Sequence, residues 1–244
     1  MRNVIVTGGS RGLGLGISRR LSESGFRAIA IARKETAELA DAIRVAEETR
    51  SGSLHFVPFD LAEIEGIPNL VKKLRKEFGP IYGLVNNAGM SVDGILALTS
   101  TQQIEQVVRL NTISPMVLTK HVVRIMMADG GGRIVNMSSI TAFTGYSGLS
   151  VYAATKASVI GFTRSLAREV GRMGVNVNAV APGFVDTDMT QGLKDEQRQQ
   201  IERRSALKRL VDVDDVANAV EFLLSDRSKN ITGTVLTVDA GNTA

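Results

Sequence analysis

Seven short runs rich in β-branched residues recur along the chain, at residues 4–6, 28–32, 54–59, 81–85, 133–137, 175–180 and 235–238. Most are continuously apolar. A strand with one wet face alternates apolar and polar residues, so a run without alternation reads as a strand buried on both faces. Between the runs, apolar residues recur at helical spacing over 14–24, 35–49, 67–78, 100–127, 151–172 and 213–224. Strand and helix alternating from end to end predict an α/β fold, a doubly wound and mostly parallel seven-stranded sheet flanked by helices. No low-complexity linker or internal repeat divides the 244 residues, which predicts a single domain with a large core.

Residues 186–212 break the rhythm. They are polar and charged, with Met189, Leu193, Ile201 and Leu207 at helical intervals, and they follow the strand end at Ala181-Pro182-Gly183. Open α/β sheets bind ligands beyond the carboxyl ends of their strands, so an insertion there is a candidate substrate lid.

Several function classes are set aside by composition. The chain has no cysteine and only two histidines, His55 and His121, which removes disulfides, thiolate chemistry and a conventional zinc site. The formal charge of +4 is scattered in pairs such as Arg19-Arg20, Lys72-Lys73 and Arg203-Arg204, and aromatics make up only 5%. A nucleic-acid footprint needs a clustered basic patch with aromatics beside it, so no nucleic-acid partner is expected. The first apolar run is too short for a signal peptide, and no stretch approaches the length of a membrane span. The expectation is a cytoplasmic protein with no membrane partner and no metal.

The chemistry begins at Thr7-Gly8-Gly9-Ser10-Arg11-Gly12-Leu13-Gly14, between the first strand and the first helix. A pyrophosphate there meets free backbone N–H groups and the positive end of a helix, and glycines allow the close approach. The spacing is Gly-x-x-x-Gly-x-Gly rather than the commoner Gly-x-Gly-x-x-Gly. The second strand ends in Ile31-Ala32-Arg33-Lys34. In dinucleotide folds an acid at this place binds the ribose of NAD, whereas an arginine accommodates the 2′-phosphate of NADP. Arg33 fills the position, Arg11 can reach the same phosphate, and the rival acid Glu35 falls later. NADP(H) is therefore the expected cofactor.

A second constellation lies further on. Tyr152 and Lys156 are four apart on a predicted helix and share a face. A tyrosine near pKa 10 is a poor acid–base group, and a neighbouring cation favours its phenolate. Small residues, Ala153, Ala154 and Ala157, surround the pair. Upstream, the run Ile134-Val135-Asn136-Met137-Ser138-Ser139 ends a predicted strand. A serine there can donate a hydrogen bond to a carbonyl oxygen, and either Ser138 or Ser139 meets that description.

Taken together, the glycine turn, Asn86-Asn87-Ala88-Gly89, the Ser139–Tyr152–Lys156 set and Pro182-Gly183 resemble the classical short-chain dehydrogenases/reductases along the whole chain, in order and spacing. The 3-oxoacyl-[acyl-carrier-protein] reductases are the most similar branch, on segments such as Gly161-Phe-Thr-Arg-Ser-Leu-Ala-Arg-Glu-Val170 and Val180-Ala-Pro-Gly-Phe-Val-Asp-Thr-Asp-Met189. The resemblance implies a Rossmann fold and an oxidoreductase that acts on CH–OH and C=O groups. Its catalytic set would be Asn111, Ser139, Tyr152 and Lys156. Tyr152 would supply the proton, Ser139 would align the carbonyl, and Lys156 would hold the nicotinamide ribose. Asn111 would position a water in a proton relay to Lys156. The cofactor set would comprise Gly8, Ser10, Arg11, Gly12, Leu13, Gly14, Arg33, Asp60, Leu61, Asn87, Ala88, Gly89, Pro182, Gly183, Val185 and Thr187, with Asp60 on the adenine and Tyr152 and Lys156 shared with catalysis. The implied reaction is NADPH-dependent reduction of a 3-oxoacyl thioester, and the implied assembly is a homotetramer.

One departure bears on the substrate. Carrier-protein reductases commonly place basic residues in the turn before the serine strand, whereas this chain has Ala128-Asp-Gly-Gly-Gly132 followed by Arg133. Arg168 and Arg172 remain as docking charges for an acidic acyl carrier protein. Other readings are reduction or oxidation of a coenzyme A thioester, sugar, secondary alcohol or secondary metabolite, with Phe143, Tyr146 and Met189 shaping the choice. A cofactor-sensing regulator without catalysis would lack the Ser, Tyr or Lys, and all three are present. Replacing Arg33 by Ala is expected to weaken NADPH use far more than NADH use in initial-rate assays; equal losses would remove the NADP assignment.

Overall fold

The structure, a computed structural model, describes residues 1–185 and 195–244. In chain order its elements are β1 (Asn3–Thr7), α1 (Gly12–Glu23), β2 (Arg27–Ala32), α2 (Ala37–Thr49), β3 (Ser53–Pro58), α3 (Ile67–Phe78) and β4 (Ile81–Asn86). There follow α4 (Thr101–Val108), α5 (Ser114–Ala128), β5 (Gly132–Met137), α6 (Ser150–Val170), β6 (Val175–Pro182), α7 (Asp195–Arg204), α8 (Val213–Leu224) and β7 (Val235–Val238). All seven expected strands form, in one sheet of order β3-β2-β1-β4-β5-β6-β7. Every pairing is parallel.

Burial explains the unbroken apolar runs. Along β1, Val4 and Val6 join the cluster formed with Leu15, Ile17 and Leu21 of α1 and Val216 and Val220 of α8. The intervening Ile5 joins the opposite cluster with Leu70 and Leu74 of α3 and Leu118 and Val122 of α5. Both faces of β1 are thus covered, α1, α2 and α8 packing on one side and α3, α5 and α6 on the other. Each fully buried Val or Ile contributes roughly 1.5–3 kcal/mol relative to exposure. Where α1 and α8 cross, a β-carbon on Gly16 would collide with Val213, so glycine sets how closely those helices approach.

One expected helix is two. The stretch 100–127 divides into α4 and α5 around a π-helical turn, Arg109–Ile113, in which the Ser114 N–H reaches back to the Arg109 carbonyl. Pro115 supplies the physical reason. It has no N–H to give to the carbonyl of Asn111 four residues back, and its ring crowds that carbonyl. Such π-bulges recur at functional sites, and Asn111 lies inside this one.

Strand order reverses between β1 and β4, and at such a switch point the loops diverge to open a crevice at the carboxyl edge of the sheet. Of the lid expected at 186–212, α7 and the chain after it are described. Leu210 and Val211 are buried, and Val211 pairs with Val185 in an isolated parallel bridge that returns the segment to the sheet. Thr187, Met189 and Leu193 lie outside the described residues. Among the described residues, no helix is long and apolar enough to cross a membrane.

Candidate active site

The residues singled out in the sequence converge on that carboxyl edge. After β1, Gly8 and Gly12 take positive φ values of 66° and 51°, conformations that disfavour side chains. A β-carbon on Gly14 would collide with the Gly8 carbonyl, and one on Gly9 would sit 2.7 Å from the Ala30 β-carbon. The α1 N-terminus is opened by Arg11 in an extended conformation, with no side-chain cap on its N–H groups. The turn is tied to its surroundings. Gly8 and Gly9 donate to the Ile31 carbonyl at 2.8 and 3.3 Å, and Thr36 Oγ1 donates to the Ser10 carbonyl at 2.6 Å. These bonds bring Arg11 and Arg33, both exposed, to the same end of the crevice. Backbone donors, a helix N-terminus and two arginines suit a phosphorylated dinucleotide.

At the end of β3, Asp60 folds back so that its Oδ1 accepts the Ala62 N–H at 2.9 Å, and Leu61 is buried. At the end of β4 the four-residue motif divides its labour. Asn86 donates to Thr119 Oγ1 and Asn136 Oδ1 at 2.9 and 2.8 Å, bracing β4 against α5 and β5. Asn87 and Ala88 donate their N–H groups to Thr7 Oγ1 at 2.9 Å each, and Asn87 Nδ2 donates to the Thr7 carbonyl at 2.9 Å. Gly89 leaves room for what lies behind it, since a β-carbon there would be 3.2 Å from Asn111 Oδ1 and 3.6 Å from Lys156 Nζ. Beyond β6, the Gly183 N–H bonds the Val238 carbonyl at 2.9 Å, and Val185 is buried.

The two serines after β5 are distinguished by their bonds. Ser138 Oγ donates to the Lys156 carbonyl at 2.9 Å and is spent anchoring α6 to the strand. Ser139 Oγ accepts the Thr141 N–H at 3.2 Å, which leaves its own hydrogen to point towards Tyr152 rather than back into the strand. Tyr152, in the first turn of α6, shares a hydrogen bond with Ser139 that favours its phenolate. Burial acts in the opposite direction and outweighs it, pushing the phenol above its ordinary value, and the charge of Asp93 adds to the rise. Lys156 is not what tunes the phenol in the protein alone. Its Nζ lies 5.6 Å from the centre of the Tyr152 ring and donates to the Met137 carbonyl at 2.9 Å. Buried within the fold, the ammonium is pushed down to about 8.

Asn111 reaches this cluster through its backbone segment. Its side chain is occupied: Oδ1 accepts the Met90 N–H at 2.9 Å, and Nδ2 donates to the Met90 carbonyl and Thr155 Oγ1 at 2.8 and 3.1 Å. Asn86, Asn111, Pro115 and Lys156 line a cavity of about 10 Å³, and Asn86 Oδ1 has no hydrogen-bond partner. A space of this size with polar groups in its wall fits a single water.

Sequence reasoning placed Thr7 at the head of the glycine turn without a role of its own, and did not find Thr155 or Pro115. A threonine directly before the glycine turn and a proline four residues after Asn111 were the available signals. The bond between Tyr146 Oη and Asn242 Oδ1 at 3.0 Å, which joins segments 96 residues apart, left no local signature.

A dinucleotide cradle over a Ser–Tyr–Lys cluster defines a class of nucleotide-dependent oxidoreductases, and the comparisons with known proteins agree. The family model described as Enoyl-(Acyl carrier protein) reductase matches residues 8–243. The 3-oxoacyl-[acyl-carrier-protein] reductase FabG of Escherichia coli is 40% identical over 237 residues, covering 97% of this chain and 95% of that protein. The 3-oxoacyl-[acyl-carrier-protein] reductase of Homo sapiens is 40% identical over 236 residues, with coverages of 97% and 95%. Among solved structures, a short-chain type dehydrogenase/reductase from Mycobacterium ulcerans superposes with a TM-score of 0.93 at 30% identity, covering 99% of this chain and 89% of that one. A gluconate 5-dehydrogenase from Burkholderia cenocepacia, in complex with NADP and tartrate, gives 0.91 at 28% identity, with coverages of 99% and 95%. The chain belongs to the short-chain dehydrogenase/reductase family.

The burial of Lys156 has a consequence for stability. Its pKa falls from the ordinary 10.5 to about 8 in the folded chain, so between those values the unfolded chain binds more protons. Stability therefore rises with pH across that window, and below pH ~8 the full cost of burying the charge is present, on the order of 3 kcal/mol. Lys156→Met is expected to unfold at higher urea than wild type at pH 7, with the gap closing towards pH 10. A gap independent of pH would mean that the ammonium is not held at a cost.

Proposed function

We infer that this chain is an NADPH-dependent oxidoreductase that reduces a 3-oxoacyl thioester to the 3-hydroxyacyl form, the reaction for which its relatives are named. The carrying observation is the meeting of a Ser139 hydroxyl bonded to a protonated Tyr152 with a buried Lys156 at the open end of a dinucleotide cradle. The glycine turn, whose β-carbon positions are filled by neighbouring atoms, together with Asn87–Gly89 and Pro182–Gly183, would hold the cofactor. Arg11 and Arg33 would take its 2′-phosphate and Asp60 its adenine, with Ser10, Leu13, Leu61, Val185 and Thr187 completing the set. NADP is bound in the gluconate 5-dehydrogenase neighbour. Bound here, it supplies the hydride.

The protein's own groups do the rest. Ser139 turns its hydrogen from Tyr152 to the substrate carbonyl oxygen, which accumulates charge as the carbonyl is reduced. Tyr152, held protonated at neutral pH by burial, gives its proton to that oxygen. This state suits reduction better than oxidation, which would start from the phenolate. Lys156 holds the ribose, and the Asn111 turn seats the water that replenishes the proton.

The segment 186–212 serves as the substrate lid of a single catalytic domain. Arg168 and Arg172, both exposed, are available to an acidic carrier. The glycines before β5 answer to the backbone, since Gly130 and Gly131 have φ of 92° and 131° and a β-carbon on Gly131 would be 2.5 Å from the Gly174 carbonyl. The working form is a cytoplasmic homotetramer.

The test is the loss of NADPH absorbance with acetoacetyl-carrier protein beside acetoacetyl-coenzyme A at matched concentration. Preference for the carrier-bound form is expected. Equal or absent activity on it points to another ketone. Tyr152→Phe is expected to leave NADPH binding intact while turnover falls by at least about a hundredfold; activity within a few-fold of wild type would exclude Tyr152 as the acid.

A further inference from the structure

Large apolar side chains are exposed in two loops that meet beside Tyr152. Ile95, Leu96 and Leu98 are 65%, 55% and 83% exposed, and Phe143 is 48% exposed. The first three lie on or beside a short 3-10 turn, Leu96–Leu98, closed by Leu98 N–H to the Ile95 carbonyl at 2.9 Å and Thr99 N–H to the Leu96 carbonyl at 3.1 Å. Ser100 and Gln103 cap the following helix, so the turn is held rather than loose. A rigid segment that presents three leucine-sized side chains to water gains nothing from the core and calls for an apolar partner.

Its position identifies the partner. The Gly94 N–H bonds the Gly148 carbonyl at 3.0 Å, which fastens this loop four residues, or about one helical turn, ahead of Tyr152. Phe143 follows Ser139 by four residues on the neighbouring loop. Phe143 therefore lies on the loop that carries Ser139, and Ile95, Leu96 and Leu98 lie on a loop bonded to it just ahead of Tyr152. On the far side of the Ser139 loop, the Tyr146 ring stands edge-on to Phe184 at 5.4 Å, its hydroxyl held by Asn242. Residues 90–99 and 138–149 contain no lysine or arginine, and their single charge is the negative Asp93. These two loops offer no cation to a carboxylate, whereas their apolar side chains suit a hydrocarbon.

We propose that Ile95, Leu96 and Leu98, together with Phe143, form the subsite for the acyl chain of the substrate, so that the enzyme favours 3-oxoacyl thioesters longer than acetoacetyl. This rests on the thioester reading above and adds the substrate's chain class and the residues that select it. Each methylene taken fully from water is worth about fourfold in binding, and one lying in an open groove less.

The experiment measures kcat/KM for 3-oxoacyl-coenzyme A substrates of four, eight and twelve carbons, coenzyme A removing any contribution of carrier docking. Wild type is compared with Leu96→Ser/Leu98→Ser and with Phe143→Ser. The readout is the ratio of the eight- to the four-carbon substrate within each protein, so a general loss of activity cancels. Wild type should favour eight carbons by at least about tenfold, and the variants should reduce the ratio to about threefold or less. A flat profile in wild type, or an unchanged ratio in both variants, overturns the proposal. So does a shift of the Leu96→Ser/Leu98→Ser variant to a smaller species in sedimentation velocity with its ratio intact, which would assign the patch to contacts between copies. If no thioester of any length is reduced while sugar or secondary alcohols are oxidised, the thioester reading itself falls, and the acyl subsite with it.

Discussion

All seven strands run parallel and the sheet is covered by helices on both faces, so its interior offers almost no place for a wet polar group. Each crossover must carry the chain back beneath the sheet before the next strand begins, and every strand therefore exits at one edge. The consequence is geometric economy. Residues as distant in sequence as Gly8, Arg33, Asp60, Asn87, Ser139 and Gly183 arrive at a single rim because each follows the end of its own strand. The reversal of strand order between β1 and β4 parts the loops at that rim, and the cradle opens there.

Keeping the rim in register takes polar bonds at the strand ends. Thr7 joins β1 to β4 by accepting two N–H groups through one hydroxyl, while Asn86 and Asn136 extend a ladder from Thr119 to Thr163 across β4 and β5. Within this frame the ammonium of Lys156 is held at a cost. A buried charge needs partners, and the donor bond to the Met137 carbonyl satisfies only one of three hydrogens. Among the described residues no hydrogen-bond acceptor takes the other two. An expensive charge with unfilled bonding capacity is characteristic of a functional group rather than a structural one. Ser138 serves the same end from behind, pinning the backbone of Lys156 to the strand so that the side chain is aimed by the sheet rather than by the helix alone.

How much of this was legible in the sequence follows from the range of the interactions. Continuous apolar runs reported the strands because burial on both faces acts on every residue of the run. The glycines of the turn and the Tyr–Lys pair were legible because their constraints act within one turn of chain. The division of the fourth helix was not, although Pro115 stood in plain view. A proline near a helix start is well tolerated, and the pattern of apolar residues continued across it. Choosing between Ser138 and Ser139 needed the position of the Lys156 carbonyl, which is a tertiary fact. The tyrosine's acidity was misjudged for a related reason. Spacing on a helix placed a cation nearby, but it could not reveal that Nζ lies over the ring and is bonded to Met137, or that burial would dominate the phenol.

The substrate is decided at yet another level. Proteins named for gluconate and proteins named for carrier-bound 3-oxoacyl groups share this backbone closely, with TM-scores above 0.9 among the former and 40% identity among the latter. The sheet, the cradle and the Ser–Tyr–Lys cluster are the parts such proteins have most reason to share, because a hydride and a proton must reach any carbonyl in the same way. What differs must lie in the loops around the cluster, where side chains meet the part of the substrate that does not react. In this chain the loops 90–99 and 138–149 carry Ile95, Leu96, Leu98 and Phe143 and no lysine or arginine. Glycines at 130–132 take the place of basic residues before β5 because backbone geometry demands it at two of them. Discrimination by the proposed acyl subsite would rest on covering a hydrocarbon rather than on pairing a charge. Apolar discrimination is weak for each methylene and accumulates only with length. A subsite of this kind selects for how much chain it covers, while any preference among carriers falls to charges elsewhere, such as Arg168 and Arg172.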